Sequence, residues 1–288
     1  METGDILKKV RKIEIKTRGL SNHVFAGEYH SAFKGRGMTF SEVREYQYGD
    51  DVRSIDWNVT ARFGHPYIKI FEEERELTVM LLIDVSGSRE FGTVSQMKMD
   101  VFTEIAATLA FSTIQNNDKV GVIFFSDKIE KFIPPKKGRK HVLHIIREMI
   151  GFKPESTKTN VAEALRYFTN AIKKRSTAFI ISDFIDSKFE KELTIANRKH
   201  DVVAVQVYDI RESDLPDVGL IKLKDAETGK RIWVDTSDKK LRTSYRHHWG
   251  ESQIELNRIF TKSGVDSVSM STSDDYVKTL LKLFKMRA

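Results

Sequence analysis

Residues 76–88 read ELTVMLLIDVSGS. The stretch from Leu77 to Ile83 is almost continuously apolar, with no regular polar alternation, the pattern of a strand covered on both faces as in a parallel sheet. It ends abruptly at Asp84, and two hydroxyls, Ser86 and Ser88, follow around Gly87. A buried strand that runs into a carboxylate and two alcohols delivers polar groups to the rim of a sheet, where open α/β folds bind their ligands.

Downstream the same figure recurs. SQMKMDVFTEIAATLAFSTIQNND places Met99, Phe102, Ile105, Ala106, Leu109 and Ile114 at helical spacing and is closed by NND. KVGVIFFSD reads as a strand, KIEKFIPP as a short edge piece stopped by proline, and residues 139–149 as a helix. After the polar loop KPESTKTN, VAEALRYFTNAIKK is again helical, and STAFIISDFID repeats the apolar strand ending in an aspartate, here Asp183. KFEKELTIANRKH, DVVAVQVYD, the hairpin-like IKLKDAETGKRIWVD, a long polar helix through HHWGESQIELNRIF, VDSVSMST and DDYVKTLLKLFKM complete the alternation. Residues 76–288 are thus expected to form an α/β domain, doubly wound, with a mostly parallel, Rossmann-like sheet and helices on both faces. Residues 1–75 mix glycines, aromatics and charges without a crossover unit, and are expected to form an N-terminal arm packing on that domain.

Composition narrows the chemistry. The 288 residues contain no Cys, which removes disulfides, thiolate metal sites and cysteine nucleophiles, and favours the cytosol. The charged N-terminal stretch lacks the apolar core of an export signal, and the longest apolar run, broken by Asp84, is far short of the roughly 20 residues of a membrane span. A cytoplasmic protein with no membrane span is expected. The net charge of +7 has its densest cluster in PPKKGRKH, residues 134–141, which lacks interleaved aromatics, so no nucleic-acid partner is expected.

Asp84, Ser86 and Ser88 leave the first strand, Asp183 ends a second, and Thr159 precedes the helix beginning near Asn160. Five oxygen-bearing side chains from three loops suit a hard divalent cation, Mg²⁺ or Mn²⁺, which takes about six oxygen ligands and would keep a position open for an outside carboxylate. Each residue alone also reads as a helix cap or turn former. Enzymatic readings are weaker. Ser86 lacks the flanking glycines of a nucleophile elbow, and an aspartate nucleophile would be paired with an acid where Ser86 stands, although a metal-dependent phosphohydrolase using the same crevice is the alternative. His247 and His248 point to different sides of a helix, and His141 and His144 stand among cations, so neither pair reads as a metal site.

DVSGS, with Thr159 in KTNVAEAL and Asp183 in IISDF, resembles the metal-ion-dependent adhesion site of von Willebrand factor type A domains. The upstream stretch GRGMTFSEVREYQYGDDVRSIDWNVTAR resembles the signature of the prokaryotic domain of unknown function 58 family, and the likeness covers approximately residues 18 to 210. This resemblance implies a three-layer sandwich and a Mg²⁺ or Mn²⁺ site at its top, held by Asp84, Ser86, Ser88, Thr159 and Asp183. It also implies recognition of an acidic residue and a non-enzymatic adaptor or chaperone-like role beside a MoxR-type AAA ATPase or its client. Residues beyond VVAVQVYD match nothing further than the general fold. Asp50, Asp51, Arg53, Asp56 and Trp57 of YGDDVRSIDW are expected to pin the arm to the domain through Arg–carboxylate bonds, with Arg44 and Arg62 as partners.

Overall fold

A computed structural model describes residues 8, 10–14, 39–72, 77–90, 97–186, 188–226 and 228–287. Its centre is a six-stranded sheet built from β3 (Thr78–Asp84), β4 (Lys119–Phe125), β5 (Ile129–Lys136), β6 (Thr177–Ser182), β7 (Asp201–Tyr208) and β10 (Asp266–Ser271). The spatial order is β10-β7-β6-β3-β4-β5, parallel throughout except for the antiparallel edge strand β5. The chain starts in the middle with β3, winds outward to β4 and β5, then returns to the other side of β3 for β6, β7 and β10. This is the doubly wound 3-2-1-4-5-6 order, and its switch point falls between β3 and β6.

Both faces of the sheet are covered, as the unbroken apolar strands require. Met80, Leu82, Ile123, Phe125, Ala178 and Ile180 point to one side and meet α4 (Val161–Ala171), α5 (Glu190–Lys199) and the end of α7 (Lys239–Ser263) through residues such as Leu165, Phe168, Leu193 and Phe260. The alternate residues face α2 (Lys98–Gln115), α3 (Arg139–Gly151) and α8 (Tyr276–Arg287). There Ile83 and Phe124 meet Phe102 and Met149, and the Phe179 ring stands edge-on to Phe284 at 6.5 Å. Period-two alternation thus feeds two cores from one strand.

β5 does not stop at its prolines. It continues through Pro134 and Pro135 to Lys136, because an edge strand needs no N–H on its outer side and a register irregularity between Val120 and Val122 accommodates the extra length. The sequence of β4 makes room for this: a Cβ on Gly121 would lie 2.9 Å from both the Ile133 carbonyl and Pro135 N, and 2.8 Å from the Met80 sulfur.

Residues 34–77 form a compact unit of their own. In it β1 (Thr39–Glu45) pairs antiparallel with β2 (Tyr67–Glu72), and α1 (Trp57–Phe63) lies between them in sequence. Its carboxylates make bonds within the unit. Arg44 grips Asp50 with two bonds of 2.8 and 2.9 Å. Asp51 accepts from Arg53 N, and Asp56 caps α1 and pairs with Lys69. Arg62, an expected partner, bonds to none of them. Most of the region expected as an arm before residue 39 lies outside the described residues. Glu14 of the short helical segment 10–14 meets Arg139 of the main unit at 2.8 Å.

The C-terminal third contains the expected ribbon, β8 (Leu220–Lys224) paired antiparallel with β9 (Arg231–Asp235), and the 25-residue helix α7. The buried side chains of α7 are confined to Leu256, Ile259, Phe260 and Ser263. Among the described residues no helix is long and apolar enough to cross a membrane.

Candidate metal centre

The switch point gathers Asp84 and Asp183. They leave the carboxyl ends of neighbouring parallel strands, β3 and β6, and are only 1% and 4% exposed. Asp84 turns its carboxylate back over its own loop: Oδ1 accepts from Ser86 N at 2.9 Å, an Asx turn that shapes the exit from the strand. Oδ2 accepts from Ser182 Oγ at 2.7 Å, and Ser182 Oγ in turn accepts from Phe184 N at 3.0 Å. The hydroxyls of Ser86 and Ser88, both buried, lie 3.0 Å apart. Asp84, Ser86 and Ser88 are therefore one preformed cluster, with Asp183 beside it.

Thr159 arrives differently. Its loop is tied to the cluster on either side of it, by Gly87 N donating to Thr157 O at 2.9 Å and by Asn160 N donating to Ser126 O at 3.0 Å at the end of β4. Asn160 then caps α4 through Glu163 N. Thr159 itself is half-buried and hydrogen-bonds to none of the other four residues.

Three residues that sequence reasoning missed complete the centre. Ser182 is the hydroxyl on Asp84. Lys98, the first residue of α2, is wholly buried and donates to Asp183 Oδ2 at 2.9 Å and to Glu212 Oε1. Glu212 belongs to the capping box of the one-turn helix α6 (Ile210–Ser213) after β7, in which its Oε2 accepts from Asp209 N at 2.9 Å. Two signals were present in the sequence. A lysine at a helix N-terminus opposes the macrodipole and requires another reason to be there, and D-x-x-E after a strand is a capping-box spacing that fixes a carboxylate at the rim.

Electrostatics mark this as a strained spot. Burial pushes the Asp84 carboxyl up to about 7, and the neighbouring Asp183 charge adds to the rise. Burial likewise raises Glu212 against the opposing pull of Lys98. For Lys98 burial alone would lower the pKa, but the Asp183 and Glu212 carboxylates outweigh it and hold the ammonium charged. Phe184, next to Asp183, adopts a left-handed φ of 55°, uncommon for a residue with a side chain. Its buried ring is clamped by Phe260 at 5.2 Å and Phe189 at 5.7 Å, which fixes the backbone just after Asp183.

Over the rim lies the tip of the β8–β9 ribbon. A Cβ on Gly87 would stand 2.5 Å from the Ala226 carbonyl and 3.1 Å from Thr157 Cβ, so the glycine between the two serines is where three loops close on each other.

Whether a divalent cation fits can be judged from the donors. Two carboxylates and a facing hydroxyl pair are hard oxygen ligands. Fully ionised, three carboxylates against one ammonium would carry two negative charges in excess, the amount one Mg²⁺ or Mn²⁺ neutralises, and such an ion would favour the ionised forms that burial opposes. The residues fit such an ion. Among the described residues no group of three or more His, Asp or Glu is placed to hold a metal, here or elsewhere, so an ion at this rim would rest on two carboxylates and hydroxyls. His141 is bound to the Val120 carbonyl at 2.9 Å and His247 lies 3.5 Å from Glu251 on an exposed helix face.

Comparison with known proteins now adds what geometry does not. Residues 42–255 match the model of the family described as protein of unknown function DUF58. The chain belongs to that family. The match runs past residue 210, so the ribbon and most of α7, for which the sequence suggested nothing beyond the general fold, lie within the DUF58 region. An uncharacterised protein of Mycobacterium bovis is 28% identical over 281 residues, covering 96% of this DUF58 chain and 88% of that protein. YeaD of Bacillus subtilis, also uncharacterised, is 28% identical over 109 residues, 38% of this chain and 25% of its own. Among solved structures, an aerotolerance-related membrane protein from Bacteroides fragilis superposes with a TM-score of 0.50 at 14% identity, covering 73% of this chain and 99% of that one, a likeness of fold. The SpRpn10 VWA domain gives 0.38 at 11% identity, over 73% and 95% of the two chains.

Proposed function

We propose that this DUF58 protein is a non-catalytic protein-binding module, in which Asp84, Ser86, Ser88, Thr159 and Asp183 hold a Mg²⁺ or Mn²⁺ ion that takes a carboxylate from a partner. The observation that carries the reading is the pair of buried aspartates at adjoining strand ends, with two serine hydroxyls 3.0 Å apart in the loop between strand and helix. The ion would supply Lewis acidity toward an incoming acid. The chain's own residues orient the donors: Ser182 and Ser86 N fix the Asp84 carboxylate, Lys98 fixes that of Asp183, and the Thr157 and Asn160 bonds hold the loop of Thr159 at the rim. Exposed apolar side chains on the same side of the sheet support docking of a protein. Met97 before α2, Ile185 after β6 and Ile210 after β7 are 49%, 62% and 44% exposed. The family resemblance points to a MoxR-type AAA ATPase or its client as that partner, in the cytoplasm.

The test is a pull-down with the tagged chain in Mg²⁺ or Mn²⁺ buffer against EDTA, paired with direct Mn²⁺ titration of wild type and Asp84→Ala. Metal-dependent recovery of a partner that vanishes in the variant is expected. Equal recovery in all conditions, or no Mn²⁺ binding by wild type, overturns the reading.

A further inference from the structure

We infer, resting on the metal-site reading, that Lys98 is a charge-balancing member of the site. Its fixed ammonium weakens the hold on the bare cation, and in return keeps the loaded site from being negative, so that an outside carboxylate is accepted. Helix formation does not ask for a cation here, because the N-terminal end of α2 is the positive pole of its dipole. Packing does not ask for it either, since the side chain is entirely buried and a neighbouring methionine would fill such a space more cheaply. The chain nevertheless places the ammonium 2.9 Å from Asp183 Oδ2, on a ligand carboxylate itself, and anchors its other side on Glu212, whose second oxygen is held by Asp209 N. The arrangement is built from three separate elements: α2, the loop after β6 and the turn after β7.

The charges say what it does. With the three carboxylates Asp84, Asp183 and Glu212 ionised around a bound ion, Lys98 and one divalent cation bring the cluster to formal neutrality. Without Lys98 the empty cluster would attract a cation more strongly, but the loaded one would retain a negative charge facing any incoming acid. At the screening typical near a protein surface, a unit charge a few ångströms away changes either equilibrium by at least about tenfold. Removing the ammonium is therefore expected to move two affinities in opposite directions, which loss of fold or a merely structural role would not do.

The experiment uses the full chain and Lys98→Met, of similar length without charge. Mn²⁺ alone is titrated by calorimetry, and acetate is then titrated into the Mn²⁺-loaded proteins, with water-proton relaxation reporting displacement of ion-bound water. Expected are Mn²⁺ binding at least about tenfold tighter and acetate binding at least about tenfold weaker in Lys98→Met. Unchanged or weaker Mn²⁺ binding by the folded variant overturns the inference while leaving the metal site standing. Absence of Mn²⁺ binding by wild type overturns both. Should Lys98→Met fail to fold, Glu212→Gln removes one negative charge instead and is expected to weaken Mn²⁺ binding by about tenfold; equal or tighter binding in that variant overturns the inference.

Discussion

Asp84 shows how far a single residue could be read. Its place at the end of an unbroken apolar run already marked it as a rim carboxylate, and the D-x-S-x-S spacing supplied the hydroxyls. That it is buried beside a like charge came only from the fold, because Asp183 lies ninety-nine positions away in a strand that happens to be its neighbour. The consequence is measurable. A carboxyl raised to about 7 in the folded chain, against an ordinary value near 4, makes the fold progressively less stable as pH rises from about 4 to 7 in the absence of metal. Asp84→Asn keeps an acceptor for Ser86 N, and its amide can donate to Ser182 Oγ, which already accepts from Phe184 N. In EDTA at pH 8 the variant is expected to melt several degrees above wild type, with little difference at pH 4. Any rise in melting temperature on adding Mn²⁺ should be lost. Thermal unfolding followed by circular dichroism at the two pH values checks both statements.

At the scale of elements, alternation and spacing located the strands and helices of the sheet well, since each strand needs only its own residues to be apolar on both faces. Where an element's fate depends on a neighbour, the pattern misled. The prolines at 134 and 135 read as a stop, yet β5 runs through them because it is an edge strand and because Gly121 of β4 leaves space for the irregularity. Gly121→Ala is expected to destabilise the protein by about 1–3 kcal/mol, the usual penalty for overpacking a filled core, as a methyl group there meets backbone atoms at 2.9 Å. A shift of the urea midpoint with an unchanged slope would register it. For the acidic stretch 50–56, Arg44 and Arg62 were the expected partners, and of these Arg44 binds Asp50. Its carboxylates also cap a 3-10 turn and α1 and pair with Lys69, local uses that short aspartate side chains serve readily.

At the scale of the whole molecule, a buried group with no part in the site also contributes to the pH dependence of stability, with a sign opposite to that of Asp84. His200 lies between β7 and the end of α5 with Nδ1 3.0 Å from Ser176 Oγ, its ring 4.3 Å from that of Phe168 and its Nε2 without a hydrogen-bond partner. Burial pushes its pKa down to about 4, with Lys199 and Arg175 adding to the fall. The unfolded chain takes up this proton below about 6.5, the folded one only near 4. The stability associated with neutral His200 is thus complete above about 6.5 and lost as pH falls toward 4, on the order of 3 kcal/mol at full extent. Because Asp84 contributes the opposite slope over the same window, the test is a difference: denaturant unfolding of wild type and His200→Gln between pH 4 and 7 should show the variant gaining less stability, or losing more, as pH rises. The sequence by itself determined the α/β class, the succession of elements and the four side chains Asp84, Ser86, Ser88 and Asp183 at strand ends, because hydrophobic period and strand-terminal polarity are local properties. Only the tertiary structure decided that Ser182 would bind Asp84, that the ribbon tip would close over Gly87, and that a lysine from a helix start would sit between Asp183 and Glu212. These are meetings of residues distant along the chain, and they are set by strand order and burial, which no local pattern encodes.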